Sequence, residues 1–350
     1  MDPYQRPPDG IRTVYKKYQK MKPSQLDLDV DIVDLLPSDL DLDRNAKVRV
    51  VNELDAARLT ASFGAFAGGD VHASSVRGGS VQGKLAVYEH QDMPGLHIIP
   101  SLLPSEIQPI LLSKLLHRDL SHPLHLTNIH THYNVAYPPG NASFFSLSPT
   151  SPDAVAHPLD PSVHRPLNAA QLLNKKMRWV TLGGQYDWTQ KKYPDASPPP
   201  FPSDIGQLLN GVFSDTKAEA AIVNLYSPGD TLSVHRDVAE SSATGLISVS
   251  LGCDAIFVIG TTSPSGTSAG GDTVEEKVIV LRLRSGSAVY MSGSSRFAWH
   301  GVPQIVPGTC PDALKSWPAA ANSQEVDEYE NWRGWMEGKR VNLNVRQMWD

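Results

Sequence analysis

Cysteine is nearly absent: Cys253 and Cys310 are the two that 350 residues contain. Two cannot make the disulfide framework of a small secreted domain. Their spacing offers no CxxC zinc pair either, so the usage fits a reducing compartment. No apolar run approaches the roughly 18–20 residues that a membrane-spanning helix needs. An apolar signal core is missing from the N-terminus, which argues against secretion. Charge is scarce too, at 19% with a net −6. That disfavours wrapping nucleic acid with the whole surface but leaves room for a local basic groove. Residues 1–22 do carry Arg6, Arg12, Lys16, Lys17, Lys20 and Lys22 around Ile11, Val14, Tyr15 and Tyr18. Asp2 and Asp9 weigh against a transit peptide, so a short surface helix is expected. The nucleus or cytoplasm is the expected compartment, with the mitochondrion as the alternative.

What the chain has in quantity is proline (28) and glycine (26), which argues against a helix bundle. Its 40% hydrophobic content fills a sizeable core and excludes general disorder. Residues 26–43, LDLDVDIVDLLPSDLDLD, alternate aspartate with aliphatics around Pro37. This predicts an acidic extended arm, docked on a partner or on the protein's own basic groove, or else a solvated linker. GGDVHASSVRGGSVQG at 68–83 predicts a flexible connection. Residues 1–84 are therefore set apart as an N-terminal arm, with the globular domain at 85–350. Helices are expected at Pro104–His117 and Ile205–Phe213, and loop over 134–168. From residue 218 onward come seven short apolar segments: AAIVNLY, TLSVHRD, GLISVSLG, AIFVIG, VIVLRL, SAVYMSG and VNLNVRQM. That texture describes an antiparallel sandwich or barrel rather than a βαβ repeat. The stretch 261–273, TTSPSGTSAGGDT, reads as a loop.

Among these segments stands His235-Arg236-Asp237, with His300 following 63 residues after Asp237. On an extended chain residues i and i+2 share a face. His235 and Asp237 can then hold one ion, and a later histidine can close the third corner. Two imidazoles and a carboxylate suit non-haem Fe(II), with zinc the competitor. In a chain with 12 histidines such a pattern also arises by chance, as a surface His–Asp hydrogen bond. Two further segments bear on the choice. Asn224 and Tyr226 precede the HxD across a Pro-Gly-Asp turn, and Arg340, Asn342, Asn344 and Arg346 fall on one strand face. Inward arginines are costly unless an anion meets them, and a dicarboxylate would. Solvent-facing arginines on an edge strand are the alternative.

In this order the pieces resemble the AlkB family of Fe(II)/2-oxoglutarate-dependent dioxygenases, whose pattern is N-x-Y, HxD, distal His and R-x-N-x-x-x-R. The likeness extends through LISVSLGCDAIFVIG and SGSSRFAWHGV. In MRWVTLGGQYDWTQKKYP and PFPSDIGQLL it is similar to the subfamily of the first eukaryotic AlkB homologue. The resemblance implies an α+β fold: a double-stranded β-helix (jelly roll) over about 218–350, flanking helices, and a nucleotide-recognition lid at about 175–194. It implies Fe(II) on His235, Asp237 and His300, and 2-oxoglutarate held by Asn224, Tyr226, Arg340, Asn342 and Arg346. With O2, an N-methyl group would be hydroxylated and lost as formaldehyde, leaving succinate. Asn344 stands where the family commonly has Thr, and a local adjustment is expected there.

For substrate, lysines and aromatics interleave over 175–193, as unstacked nucleotides require. Tyr186, Trp188, Lys191, Lys192 and Tyr193 are the candidates, against the alternative of a small core with incidental lysines. Glu240 is a candidate base contact, and Arg296 either lines the pocket or braces the distal histidine's strand. His130, His132, His157 and His164 lack a third ligand in register for a second metal. The expected activity is demethylation of nucleobases in tRNA, ahead of single-stranded or flipped-base DNA, by a monomer needing no membrane. A protein side-chain hydroxylase and a catalytically silent nucleic-acid-binding protein are the rivals.

Overall fold

The computed structural model describes residues 2, 4–35, 45–68, 84–187, 190, 192–194, 197–268, 271–319 and 328–349. The apolar segments of the C-terminal half form strands that pass between two facing sheets. Ala220–Tyr226, Leu246–Gly252, Ala288–Met291 and Arg340–Arg346 lie together in an eight-stranded antiparallel sheet. Leu232–His235, Ala255–Ser268, Gly271–Leu283 and Trp299–Ile305 make most of a five-stranded one. Eight strands divided this way between two sheets are a jelly roll. Trp299–Ile305 is the strand the apolar-segment reading left out, because Gly301 and Pro303 break its run. The 261–273 stretch, expected as a loop, largely continues the Ala255–Ser268/Gly271–Leu283 hairpin, in register from Thr261↔Lys277 to Ser265↔Thr273.

Side chains alternate between faces, so one face of each sheet fills the space between them. Phe257, Ile259, Leu281 and Val302 meet Ile247, Val249, Leu343 and Val345 in the main core. Helices Ala56–Ala67 and Ser203–Val212 extend that core, burying Leu59, Phe63, Phe66, Ile205, Leu208 and Leu209. Asp55 caps the first of them by accepting from the Arg58 N–H at 2.7 Å. The helix expected at Pro104–His117 runs as Ile107–Ser113 with a wider continuation over Lys114–Asp119. Residues 134–168, expected as loop, include a small sheet of Tyr133–Val135, Ala154–Pro158 and Leu167–Asn168. No helix among the described residues is long and apolar enough to cross a membrane.

The N-terminal stretch expected as an arm is built into the fold wherever it is described. Helix Asp9–Lys20 buries Ile11, Tyr15 and Tyr18. With Leu26 and Ile32, its Ile11 and Tyr18 cover Ile256, Val258, Val280, Trp299 and Val306 on the outer face of the five-stranded sheet. Glu276 Oε2 accepts the Ile11 N–H at 3.1 Å, satisfying an otherwise orphaned helix donor. The acidic run finds its own cations. Asp34 meets Arg284 through two hydrogen bonds at 2.6 and 3.0 Å, and Asp27 meets Arg282. Ile32–Val33 pairs with Gly271–Leu283 in parallel, and Val48–Asp55 pairs with Lys84–His90. Residues 36–44 of the acidic run and 69–83 of the expected connection lie outside the described residues.

Leu26 is fully buried in that outer cluster. Replacing it by alanine should therefore cost about 2–5 kcal/mol in urea unfolding of the whole chain. An unchanged midpoint would mean that the N-terminal segment is not docked.

Candidate active site

The turn Ser227–Asp230 carries the chain from one sheet to the other. Asp230 Oδ2 accepts the Ser227 N–H at 2.7 Å, and the Asp230 N–H donates to the Ser227 carbonyl at 2.9 Å. Gly229 supplies the left-handed φ of +94° that this reversal needs. The strand that follows sets His235 directly opposite His300 in register, ring centroids 4.5 Å apart. Gly301 permits that approach, since a Cβ there would stand 2.8 Å from the Leu232 carbonyl oxygen. Asp237 completes the group. Its carboxylate oxygens lie 3.6 Å from His235 Nε2 and 3.8 Å from His300 Nε2. The three ligand atoms all fall within 4.8 Å of one another.

Hydrogen bonds set which imidazole nitrogen faces the centre. His235 Nδ1 contacts the Ser233 carbonyl at 2.9 Å and His300 Nδ1 the Ala298 carbonyl at 3.0 Å. Each Nδ1 must then carry the proton, leaving both Nε2 lone pairs for a metal. Burial, with His235 beside it, pulls His300 down to about 4, so it is neutral at physiological pH. Burial opposes the charge of Asp237, but Arg346 and the two histidines outweigh it and hold the carboxyl well below its ordinary range. This donor set fits a divalent metal: two imidazole Nε2 atoms and one ionised carboxylate on one side. His132 and His164 lie with ring centroids 4.7 Å apart. Among the described residues, however, only His235, Asp237 and His300 gather as three ligands.

A cavity between the sheets is lined by His300 at one place and Arg340 at another, with Tyr226, Ser248, Asn342 and Asn344 along it. Register explains the grouping, because directly opposed residues share a face. Arg340 faces Tyr226, and Asn342 faces Asn224. On the other side Asn342 faces Ser250, and Asn344 faces Ser248. Arg340 is 1% exposed, and its nitrogens donate only to neutral oxygens: Ser250 Oγ at 2.8 Å and two carbonyls at 3.3 Å. Its Nε has no partner. Burial lowers its pKa to about 10, against the opposing pull of Tyr226 and Asp254. Tyr226 is buried beside it, its phenol pushed well above the ordinary value. Asn342 donates to Ser248 Oγ at 2.9 Å and the Val249 carbonyl at 3.0 Å. With the Asn344 amide oriented to satisfy both of its atoms, its oxygen accepts from Arg346 Nη2 at 3.2 Å and its nitrogen donates to the Ile247 carbonyl at 3.3 Å.

Ser248 and Ser250 escaped the motif reading, yet LISVSLG shows them, since both fall on the face opposite Ile247 and Val249. The expected lid residues divide. Tyr186 and Tyr193 form an edge-to-face pair at 5.2 Å. Burial and the Asp237 carboxylate push Tyr186 up to about 12. Burial also raises Tyr193, next to Arg346. Both therefore stand on the metal side of the site. Gly184 makes room for them, as a Cβ there would lie 3.2 Å from the Tyr193 ring. Lys192 is exposed and pairs through its backbone with Asp187. Trp188 and Lys191 lie outside the described residues. Arg296 is 1% exposed and braces the loop after His235, donating to the Thr244 and Asp237 carbonyls. The Glu240 side chain is fully buried between Arg296 and Arg346.

The lowered His300 has a stability consequence. The unfolded chain takes up a proton below the ordinary 6.5, whereas the folded one resists until about 4. Stability is thus full above that window and is lost as pH falls through it. The melting temperature of metal-free protein should fall between those pH values. His300→Gln should make that fall shallower without abolishing it, because His90, His125 and His130 are lowered by burial as well.

A protein-family model described as the 2OG-Fe(II) oxygenase superfamily matches residues 147–346. The chain is 44% identical to a Pyricularia oryzae protein named N6-methyladenosine RNA demethylase ALKB1, over 99% of this chain and 98% of that one. It is 48% identical to Cryphonectria parasitica N6-methyladenosine RNA demethylase ALKBH, over 63% of this chain and 100% of the relative. Schizosaccharomyces pombe tRNA demethylase abh1 is 41% identical over 77% of this chain and 83% of its own length.

Proposed function

This chain belongs to the 2OG-Fe(II) oxygenase superfamily, and from that premise we propose that it oxidatively demethylates nucleobases, with tRNA favoured over DNA. The observation that carries the reading is the juxtaposition of the His235–Asp237–His300 group, the buried and unneutralised Arg340, and the Tyr186–Tyr193 pair. The names borne by the relatives support it. As an oxygenase of this superfamily the protein uses Fe(II), with 2-oxoglutarate and O2 as co-substrates.

His235, Asp237 and His300 would hold the iron. Arg340 would meet the far carboxylate of 2-oxoglutarate, with Tyr226 and Asn224 beside it. Asn342 and Arg346 would support the end nearer the metal. When bound, iron with O2 and 2-oxoglutarate supplies the oxidation, and the balance is succinate, CO2 and a hydroxylated N-methyl that leaves as formaldehyde. The chain's own residues do the rest. Leu246, Phe257 and Met291 exclude water from the cavity, while Tyr186 and Tyr193 offer flat rings to an unstacked base. Lys192 would flank that base and its phosphates. We further propose that the protein acts as a monomer in the nucleus or cytoplasm.

Succinate and formaldehyde release would be measured with Fe(II), ascorbate and 2-oxoglutarate, on methylated tRNA and methylated single-stranded DNA. Formaldehyde should appear with both, faster with tRNA, and vanish in His235→Ala. Faster release from DNA would reverse the carrier. Succinate without formaldehyde would favour a protein side-chain hydroxylase, and neither product from iron-loaded protein a silent binder. Tyr186→Ala should raise KM for the methylated nucleic acid by roughly 5- to 100-fold, the worth of one base–aromatic stack. Substrate-free succinate formation should stay within about twofold of wild type in that variant, since stacking on a base plays no part in it.

A further inference from the structure

Between His235 and Leu246 the chain runs as a loop without helix or strand, and Asp237 sits on it. A metal ligand on a loop needs side chains to fix it. Two arginines do so. Arg346 Nη2 lies 3.4 Å from Asp237 Oδ2, and Arg296 Nη1 donates to the Asp237 carbonyl at 3.0 Å. Both guanidiniums are themselves held by Glu240. Its Oε1 accepts from Arg346 at 2.8 Å and its Oε2 from Arg296 at 3.1 Å. The Glu240 side chain is 0% exposed, so both oxygens are committed inside the protein. The local charges balance, with two carboxylates against two guanidiniums.

We propose that Glu240 is a positioning residue of the metal site rather than the base contact its place in the sequence implied. It locks Arg296 and Arg346 in the orientations that fix Asp237, and so sets the affinity for a divalent metal. The proposal rests on the reading of His235, Asp237 and His300 as metal ligands.

Co(II) titration of the full chain, followed by visible absorption, tests it. Glu240→Gln keeps the shape and removes the charge. It should weaken Co(II) binding by roughly 10–100-fold with an unchanged far-UV spectrum. In an Asp237→Asn background the same change should cost less than about twofold more, because its effect passes through Asp237. Unchanged affinity in the single variant overturns the proposal. So does a full further loss in the Asp237→Asn background, which would mean a general loosening of the fold. Should Glu240→Gln fail to fold, Arg296→Lys keeps the charge but loses the fork that reaches Asp237 and Glu240 together. It must then show the same loss and the same cycle. Wild-type protein that takes up no Co(II) would sink the metal-site reading itself, whereas wild-type binding with unaffected variants sinks the Glu240 proposal alone.

Discussion

Three arginines buried between or beside two apolar sheets impose the constraint on which the site depends. A guanidinium cannot shed its proton at any ordinary pH, so each must be met by oxygens. Arg296 and Arg346 are met by Glu240 and Asp237, inside the protein. Arg340 is met only by hydroxyl and carbonyl groups, with no carboxylate bonded to it. The difference divides the interior by task. The first two are charge-balanced around a metal ligand, whereas the third stands among neutral oxygens.

The same accounting explains the outer layer. The five-stranded sheet carries apolar side chains on both faces, and a face left bare would be a large exposed patch. Helix Asp9–Lys20 and the segment through Ile32 cover it. Paired aspartates anchor that cover to Arg282 and Arg284, beside the strand ends. The cover reaches the site itself. Gln5 Oε1 accepts from Arg236 at 2.5 Å, and the Arg236 guanidinium lies over Trp299 at 4.4 Å. Arg236 stands between His235 and Asp237, so the N-terminal segment braces the strand end that presents them.

Much of this was legible in the residues. Period-two alternation in RVNLNVR placed Arg340, Asn342 and Arg346 on one face, and the HxD spacing placed His235 beside Asp237. What escaped has physical causes. Gly301 and Pro303 kept the strand of His300 out of the run of apolar segments, although glycine there is what lets the two histidine strands close. The acidic run read as a docked arm or a solvated linker without a named partner, because alternating aspartates are poor strand formers and its cations lie some 250 residues away. A clue was present in AIFVIG. An unbroken apolar run means burial on both faces, and something outside the sandwich had to supply the second. Glu240 looked available to substrate because no sequence pattern reveals that Arg296 and Arg346 enclose it.

The order in which the strands occur along the chain has a consequence for synthesis. His235, Asp237 and His300 all emerge from the ribosome before Arg340–Arg346, which pairs with both Ala220–Tyr226 and Leu246–Gly252 in the middle of the large sheet. Until that last strand inserts, the two neighbours have open edges and Glu240 has only one of its two arginines. A nascent chain therefore owns every metal-binding side chain while lacking the element that aligns them. Alignment of the oxidising centre therefore waits on this strand, which follows every ligand in the chain.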